Sequence, residues 1–435
     1  MSKVLPAKGF RDLAPEAKRR KEELIATIRA CYLRYGFDEI ETPAAEPIER
    51  LRGSEGGENL AMIFEILKRG LGKGELSAAD APGELSDLGL RYDLTVPLAR
   101  YYASHHGELP AVFRAIQIGP VWRAEKPQKG RYRQFTQCDI DIIGEPSTLA
   151  EIELIVATLA AMRDIGLHGA TVRLNDRRFL DAMITGAGLP ADQKAKALII
   201  IDKLDKIGLD GVTESLTESF PGGRGDRLGA SLRKLREAPE LTLEQFLSLV
   251  PVSDAAAVSD HQSITAAVRE AAGPASIRFD PSLVRGLGYY TGPIFEAEHP
   301  VSTSAVGGGG RYDNMIGKFL GEHVPACGFS LGLERLLEIA ASMDAATLPD
   351  ESRVALIYDE KDPPEAVIAR QQELLRRGLT VRIVRSTRNK QRMFDDLVRA
   401  GYGRVQRMSE ESTAFRNLGV TAGADTNEPQ GRTQS

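Results

Sequence analysis

Residues 123–141 read Arg123-Ala-Glu-Lys-Pro-Gln-Lys-Gly-Arg-Tyr-Arg-Gln-Phe-Thr-Gln-Cys-Asp-Ile-Asp141, and the stretch changes character halfway. Its first half is rich in basic residues, and Pro127 and Gly130 predict a loop rather than a helix. A basic loop between two strands suits the binding of phosphate oxygens. On spacing alone, a solvated charged hairpin is an equally good interpretation.

The second half of this stretch predicts a β-strand with two contrasting faces. Because side chains alternate along a strand, one face carries ligand-type groups, namely Phe135, Gln137, Asp139 and Asp141. The other face carries side chains suited to a core, namely Thr136, Cys138, Ile140 and Ile142. Burying an amide and two acids without partners is costly, so we interpret the first face as facing a ligand.

The neighbouring sequence gives this strand a partner and helical flanks. Two strands, near Val112–Trp122 and Arg133–Ile143, are predicted on either side of the charged loop. Apolar residues at helical spacing predict a helix over residues 15–35, which ends at a glycine. Downstream, Thr148 and Glu151 form a T-x-x-E pattern, which predicts a capping box at the start of another helix.

Changes in composition divide the chain into five predicted segments. They are a first core part at 1–171, a helical insertion at 172–275, a second core part at 276–345, an α/β domain at 350–420 and a disordered tail at 421–435. The fold class is therefore α+β with a separate α/β domain. After Ala400 that domain needs another apolar strand, but Val405 stands among polar residues, so we predict an incomplete domain.

Composition and charge limit the classes of function. The 435 residues are 42% hydrophobic and 27% charged, which is typical of a globular protein. No apolar run approaches the roughly 20 residues of a membrane span, and no signal peptide is visible, so we expect a cytoplasmic protein with no membrane partner. The three scattered cysteines argue against disulfides and a structural metal site. A net charge of −5 means that any contact with RNA must be local.

Further candidate segments lie outside the central pair of strands. Asp93 and Thr95 stand two residues apart; they could hold an ammonium group or equally cap the helix after Pro97. Other segments combine glycines with arginines or tyrosines, which permits close approach of backbone to a ligand: Val284–Gly292, Gly307–Tyr312 and Gly328–Arg335. Each of these is a weak signal alone, because a glycine run also fits a mobile loop.

Taken together and in this order, the segments resemble the histidyl-tRNA synthetase family of class II aminoacyl-tRNA synthetases. The resemblance extends from Lys8-Gly-Phe-Arg-Asp12 to about Arg404. Its motifs are similar to motif 1 at Tyr35–Pro43, motif 2 at Arg123–Asp141, motif 3 at Gly328–Arg335 and two histidine-specific signatures at Arg285–Thr291 and Gly307–Tyr312.

The resemblance implies a homodimer built on an antiparallel sheet flanked by helices, with a helical insertion and a C-terminal anticodon-binding-like domain. It also implies a two-step ligase. Histidine would react with ATP, with Mg²⁺ present, to give histidyl-adenylate, and the histidyl group would pass to the 3′ end of histidine tRNA. No protein nucleophile is needed, so positioning and charge neutralisation would supply the catalysis.

Roles follow from the resemblance for residues at matching positions. Four would bind ATP: Arg123, Arg131, Phe135 and Arg335. Seven would bind histidine: Asp93, Thr95, Gln137, Asp141, Arg285, Tyr289 and Tyr290. Arg123 and Arg285 would contact the α-phosphate and are the expected catalytic residues, whereas Gln128 would lie near the tRNA acceptor end. No residue is expected to hold a metal ion.

One departure and several rivals accompany this hypothesis. The family often has an acid where this chain has Gly288. A non-catalytic paralogue, such as the regulatory subunit of ATP phosphoribosyltransferase, is the main alternative, and an RNA- or stress-sensing module or a different class II amino acid are others. Loss of the ATP arginines would favour the paralogue, but Arg123, Arg285 and Arg335 are all present.

Overall fold

The structure is a computed structural model that describes residues 4–53, 59–127, 131–237, 241–285, 288–302, 304–343, 350–411 and 414–418. Its α-helices are α1 Pro15–Arg34, α2 Ile48–Gly53, α3 Lys73–Ala78, α4 Thr95–His105, α5 Leu149–Asp164, α6 Arg177–Gly186, α7 Lys194–Ile201, α8 Leu204–Ser219, α9 Arg224–Arg236, α10 Leu243–Leu249, α11 Ala255–Ala272, α12 Asp313–Leu320, α13 Leu333–Met343, α14 Pro364–Arg376 and α15 Lys390–Arg399.

The strands of the described residues are β1 Asp38–Glu39, β2 Ala45–Pro47, β3 Phe64–Leu67, β4 Ser86–Leu90, β5 Phe113–Trp122, β6 Gln134–Ile143, β7 Thr171–Asp176, β8 Ile277–Phe279, β9 Pro293–Glu298, β10 Gly307–Arg311, β11 Ala326–Gly332, β12 Asp350–Tyr358, β13 Thr380–Arg385, β14 Tyr402–Arg407 and β15 Arg416–Asn417. Short 3₁₀ helices cover Asn59–Met62, Pro82–Leu85 and Ala191–Gln193. None of the helices described is both long and apolar enough to cross a membrane.

The chain forms two compact units, of which the first comprises Met1–Asp12 and Lys21–Ser342. Its main sheet has eight strands in the order β1-β5-β6-β11-β10-β9-β7-β8. The pairs β1/β5 and β7/β8 are parallel and every other pair is antiparallel. A smaller antiparallel sheet has the order β2-β4-β3. The α+β class predicted from the sequence is confirmed.

Strand β6 has the two faces that its sequence predicts. Cys138, Ile140 and Ile142 are fully buried in a core with residues of α1 and α5. Side chains of opposite parity therefore point to the other face of the sheet, where the strand carries polar groups. The long helical stretch between β7 and β8, from α6 to α11, packs its own apolar residues, including Phe179 and Phe246, whose ring centroids lie 5.6 Å apart.

The glycine run at 307–310 forms strand β10 in the middle of the main sheet, not a loop. Added Cβ atoms would meet neighbouring backbone at once: one on Gly309 would lie 1.9 Å from the Gly328 carbonyl oxygen, and one on Gly307 would lie 2.6 Å from that of Ser330. Glycine is thus required here because the neighbouring chains approach too closely for a side chain.

The second unit comprises Leu13–Arg20 and Met343–Ser435 and contains the sheet β13-β12-β14-β15. The expectation of an incomplete domain is wrong, because β14 pairs in parallel with β12. Val405 is 2% exposed, and the buried Gln406 amide donates hydrogen bonds to the carbonyl oxygens of Glu411 and Ala414. Gln406 can be buried in strand β14 because its side-chain amide is hydrogen-bonded. The predicted tail at 421–435 lies outside the described residues.

One local prediction also needs correction. Helix α5 begins after Thr148 as expected, but the Thr148 side chain makes no capping bond. Glu151 is fully buried and instead accepts from Arg311 through both carboxylate oxygens, at 2.6 and 2.7 Å. Glu151 therefore forms a buried ion pair with Arg311 in place of the predicted capping box.

Candidate active site

A cavity of about 960 Å³ lies on the polar face of the main sheet. Its floor includes the side chains of β6 that the alternation predicts, namely Phe135, Gln137, Asp139 and Asp141. The prediction that these four share a face is confirmed. The remaining residues nominated from the sequence also line the cavity: Asp93, Thr95, Arg123, Arg131, Arg285, Tyr289, Tyr290 and Arg335. Gln128 lies outside the described residues.

One part of the cavity is positively charged. The Arg123 Nε donates to the Tyr92 carbonyl oxygen at 3.0 Å, and its guanidinium carbon lies 5.1 Å from the centroid of the Phe135 ring. Arg335 donates to the carbonyl oxygen of Ala305. Burial lowers the pKa of Arg335, and the charge of Arg131 lowers it further. Several guanidinium groups brought together around an aromatic face suit a nucleotide, whose phosphates relieve their repulsion.

Arg285 is held across the glycine strand by Glu296. Its Nη1 lies 2.8 Å from Glu296 Oε2, and the other carboxylate oxygen accepts from Arg173 at 2.9 Å. A Cβ added to Gly308 would lie 2.5 Å from the Arg285 guanidinium, so the bare strand provides the surface on which this arginine rests. The arrangement fixes a cation in the cavity while leaving it within reach of an anionic ligand.

Asp93 contacts the first turn of helix α4 and also lines the cavity. Its Oδ1 accepts from the backbone N–H of Val96 at 3.1 Å, which satisfies one N–H group of that turn. Its Oδ2 is buried and has no hydrogen-bond partner among the described residues. Burial raises the pKa of Asp93 to about 6. The segment is a turn rather than a strand, yet Thr95 also lines the cavity. A carboxylate oxygen left over after capping is suited to an ammonium group.

A polar relay runs along the floor from β6 to β11. The Gln137 Nε2 donates to Ser330 Oγ at 2.6 Å, and the Gln137 carbonyl oxygen is buried with no partner among the residues that the structure describes. Ser330 in turn forms a hydrogen bond to Asp139, whose Oδ1 is also buried without a partner. Burial first, and then the charge of Asp141, raise the pKa of Asp139 well above its usual range.

Asp141 is hydrogen-bonded to Tyr312, a residue to which the sequence analysis assigns no role. The phenol of Tyr312 donates to Asp141 Oδ1 at 2.6 Å, and both side chains are buried. A Cβ on Gly328 would lie 1.9 Å from the same oxygen, so glycine makes room for the carboxyl group. Burial raises the pKa of Asp141 to about 7. The Tyr289 ring centroid lies 5.9 Å from that of Tyr312 and 4.7 Å from that of Tyr290.

These tyrosines and Asp141 make an aromatic pocket with one acid, which fits a small planar ring that carries nitrogens. The sequence signals for Tyr312 were its place at the end of the glycine run and in the signature Gly307–Tyr312, but neither identified its partner. Glu296 and Ser330 gave no signal, because each functions through contacts with another strand. Gly288 also lines the cavity, and an added Cβ there would meet nothing within 4 Å, so packing does not require a glycine at this position.

Glu334 is a further residue that the sequence did not single out. It precedes Arg335 at the start of α13 and is 6% exposed. Its Oε2 accepts from the backbone N–H of Thr136 at 2.8 Å, and its Oε1 lies 3.3 Å from the Lys21 ammonium. The carboxylate thus fastens helix α13 to strand β6 and fixes the spacing between Arg335 and Phe135.

Comparison with known proteins assigns this architecture. The family model described as histidyl-tRNA synthetase matches residues 9–336. The histidine–tRNA ligase of Leifsonia xyli is 47% identical over 410 residues, covering 92% of this chain and 94% of that protein. The histidine–tRNA ligase of Aeropyrum pernix is 36% identical over 411 residues, covering 92% and 86%.

Solved structures agree with the fold. The histidyl-tRNA synthetase of Nostoc sp. PCC 7120 superposes with a TM-score of 0.68 and 26% identity, over 93% of this chain and 91% of that one. A Bacillus halodurans protein, titled ATP phosphoribosyltransferase regulatory subunit/histidyl-tRNA synthetase, gives a TM-score of 0.71 over 93% and 97% of the two chains. At 20% identity, this second likeness bears on the fold alone.

An antiparallel sheet that carries arginines, an aromatic ring and carboxylates on one face is the catalytic architecture of a class II aminoacyl-tRNA synthetase. Within that class, the match of the family model over most of the chain settles the relationship. The chain belongs to the histidyl-tRNA synthetase family. The relatives at 36–47% identity do not favour the regulatory paralogue.

Proposed function

We propose that this protein is a histidine–tRNA ligase that uses the cavity on the main sheet for both of its reaction steps. One observation carries the proposal: buried acceptor oxygens without partners lie on the same sheet face as a cluster of arginines. The acceptors suit the ammonium group of an amino acid and the arginines suit the phosphates of ATP. A site with both is suited to joining a carboxylate to a nucleotide.

In the first step, a carboxylate oxygen of histidine attacks the α-phosphorus of ATP and the bond to the pyrophosphate breaks. Arg123 and Arg285 are proposed to contact the α-phosphate, with Arg285 also near the carboxylate, and Arg131 and Arg335 to hold the outer phosphates. Phe135 stacks on the adenine. These cations are fixed before the reaction, so they stabilise the developing phosphate charge without reorganising.

Recognition of histidine is proposed to divide between two ends of the ligand. Asp93, Thr95 and Gln137 take the amino end, and Asp141 takes the imidazole, with Tyr289 and Tyr290 as the wall. The Asp141–Tyr312 pair supports this division, because an acid and a phenol match the ring nitrogens. An amino acid that lacks those nitrogens leaves buried polar groups unpaired, which excludes it strongly.

Mg²⁺ is proposed to enter with the phosphates of ATP. The described residues contain no group of three or more His, Cys, Asp or Glu side chains placed to hold a metal ion. Glu296 and Glu298 are acids that line the cavity, and both already pair with arginines. This fits a metal of the kind held by substrate phosphates with one or two carboxylates, and it would neutralise phosphate charge when bound.

In the second step, the terminal ribose hydroxyl of histidine tRNA attacks the carbonyl carbon of the adenylate and AMP leaves. Gln128 is proposed to lie near that acceptor end, and the second unit to contact the anticodon arm. Across residues 350–418, Lys and Arg outnumber Asp and Glu, although the whole chain carries a net charge of −5.

We further propose a homodimer in the cytoplasm as the active form. Sedimentation of the purified protein would test the dimer.

The test is histidine-dependent exchange of labelled pyrophosphate into ATP, measured beside two arginine variants. Exchange with histidine and no other amino acid is expected, and Arg285→Ala should abolish it. Arg278→Ala is the matched control, because Arg278 pairs with Glu298 and Asp280 near the same strands and does not line the cavity. If the folded protein shows no exchange, the proposed enzyme activity is refuted and the non-catalytic paralogue becomes the better interpretation.

A further inference from the structure

Three buried oxygen atoms on the cavity floor have no hydrogen-bond partner in the part of the chain that the structure describes: Asp93 Oδ2, Gln137 Oε1 and Asp139 Oδ1. Their residues all line the cavity and are between 2% and 8% exposed. Buried acceptors in folded proteins are nearly always paired, so a group of three unpaired ones in one cavity points to a ligand that supplies the donors. Asp139 has no part in the binding scheme proposed above.

Strand register locates Asp139 close to the other two acceptors. It lies opposite Gln117 of β5 and Ser330 of β11. The Gln117 Nε2 donates to the Leu94 carbonyl oxygen at 2.9 Å, and Leu94 follows Asp93 directly. Cross-strand neighbours have Cβ atoms about 4.5–5.5 Å apart, so Asp139 lies next to the residue that contacts the Asp93 turn. Gln137 is two positions away on the same face.

The hydrogen bonds of the floor also explain why these particular atoms are left over. The Gln137 amide nitrogen is occupied by Ser330 Oγ, so only its carbonyl oxygen faces the ligand. The Ser330 hydroxyl bonds to Asp139, which leaves one carboxylate oxygen of Asp139 unused. One carboxylate oxygen of Asp93 accepts a hydrogen bond from the N–H of Val96. Each residue therefore offers a single acceptor.

We propose that Asp139 binds the α-ammonium group of the amino-acid substrate as a third acceptor, together with Asp93 and Gln137. A primary ammonium group has three N–H donors, and the floor offers three unpaired acceptors. The inference rests on the proposed function and extends it, because it adds a second carboxylate to the amino end of the site. Two acids and one amide select a cationic amino group over a neutral one.

The experiment is calorimetric titration of the full-length protein with two ligands, histidine and 3-(imidazol-4-yl)propionate, which lacks only the amino group. In Asp139→Asn, histidine affinity is expected to fall by about ten- to hundredfold, as for loss of a charge-assisted hydrogen bond. The affinity for the des-amino ligand should change by less than about threefold, because this ligand has no group that contacts Asp139.

Asp141→Asn is the matched comparison, since it removes a carboxylate two positions along the same strand. It is expected to weaken both ligands to a similar extent, because both carry the imidazole. An Asp139→Asn variant that loses both ligands equally, or neither, would overturn the proposal. If this variant does not fold, Asp139→Ala, which removes the whole carboxylate, is measured in the same way. Failure of the unmodified protein to bind histidine would instead refute the proposed function.

Discussion

The Tyr312 phenol and the Asp141 carboxyl group are joined by a 2.6 Å hydrogen bond within the interior of the protein. Asp141 lies in strand β6 and Tyr312 directly follows strand β10, so the two residues are 171 positions apart in the chain. Their pairing supplies an acceptor and a hydroxyl at one point of the aromatic pocket. It is therefore the feature of the site most directly suited to an imidazole.

Tyr312→Phe should weaken histidine binding and cost about 1–3 kcal/mol of unfolding free energy, because a buried carboxyl group loses its donor. We expect the KM for histidine in pyrophosphate exchange to rise at least tenfold, with the KM for ATP nearly unchanged. Tyr102→Phe is the control, because Tyr102 is buried and lies outside the cavity. Equal effects of the two variants on the KM for histidine would contradict the assignment.

Gly308→Ala tests the surface on which Arg285 rests. The new methyl group would lie 2.5 Å from the guanidinium, which is the flexible end of a side chain and can move away. The thermal midpoint should therefore change little, whereas the rate of pyrophosphate exchange should fall by about a hundredfold, as for loss of one transition-state donor. Gly74→Ala, where a Cβ meets nothing within 4 Å, serves as control. A fully active Gly308→Ala protein would show that the position of Arg285 is unimportant.

Glu296→Gln should release Arg285 and Arg173 from their shared carboxylate. Arg173 keeps its ion pair with Asp280, whereas Arg285 loses the carboxylate that holds it and is positioned less firmly. We expect kcat for pyrophosphate exchange to fall by about tenfold or more, while the KM for histidine changes little. Glu153→Gln is the matched control, because it also breaks a part-buried ion pair, with Arg114, and neither residue lines the cavity. Similar values of kcat in the two variants would argue against this positioning role.

Asp93→Asn should stabilise the ligand-free protein at high pH and abolish its histidine binding. The pKa of Asp93 is about 6 in the folded protein, above the usual value of 3.8. Between these values the folded state holds a proton that the unfolded state releases, so the contribution of Asp93 to stability declines as pH rises from about 4 to 6. Above pH 6 its ionised, buried carboxylate is destabilising by roughly 1–3 kcal/mol.

Thermal unfolding at pH 5 and pH 8 measures this contribution. The variant should exceed the original protein in stability at pH 8, because asparagine carries no charge and can still accept the N–H of Val96 through its amide oxygen. It should lose that advantage towards pH 4, where the Asp93 carboxyl group is protonated. A variant that is less stable than the original protein at pH 8 would show that the Asp93 charge is compensated in the folded state.

Charge reversal in the second unit tests its proposed contact with tRNA. Between Glu373 and Asp395 the chain carries basic residues and no acidic one, and Arg388 and Arg392 are exposed. The double variant Arg388→Glu/Arg392→Glu should raise the KM for tRNA about tenfold or more, because each lost phosphate contact weakens tRNA binding. The KM values for histidine and ATP should not change. Lys361→Glu, among acidic neighbours, is the control. Unchanged charging of tRNA would exclude this surface from the contact.

The sequence predicted the features that depend on local pattern. The alternation along β6 was enough to place Gln137 and Asp141 on the cavity floor, because strand geometry alone determines which side chains share a face. It was not enough to identify Tyr312 as the partner of Asp141 or Glu296 as the partner of Arg285. Those pairs depend on which strands are neighbours in the sheet, and no local periodicity encodes that order.

The errors have the same origin. Glu151 follows Thr148 at capping-box spacing, but a buried Arg311 from a distant strand binds its carboxylate more strongly than a backbone N–H does. Val405 lies among polar residues, yet β14 forms because the Gln406 amide finds carbonyl partners in the loop that follows. In both cases a tertiary partner satisfied a polar group that sequence reasoning had to treat as unpaired.

The glycine strand β10 also determines how the substrate range of this protein can be altered. Because residues 307–310 have no side chains to shorten, the cavity cannot be enlarged at these positions for a bulkier amino acid. Extra room has to come from side chains that line the cavity, and the large ones near the glycine strand include Tyr289, Tyr290 and Tyr312. If these groups recognise histidine as proposed, redesign for a new amino acid removes the groups that select the present one, so selectivity and cavity size cannot be changed independently.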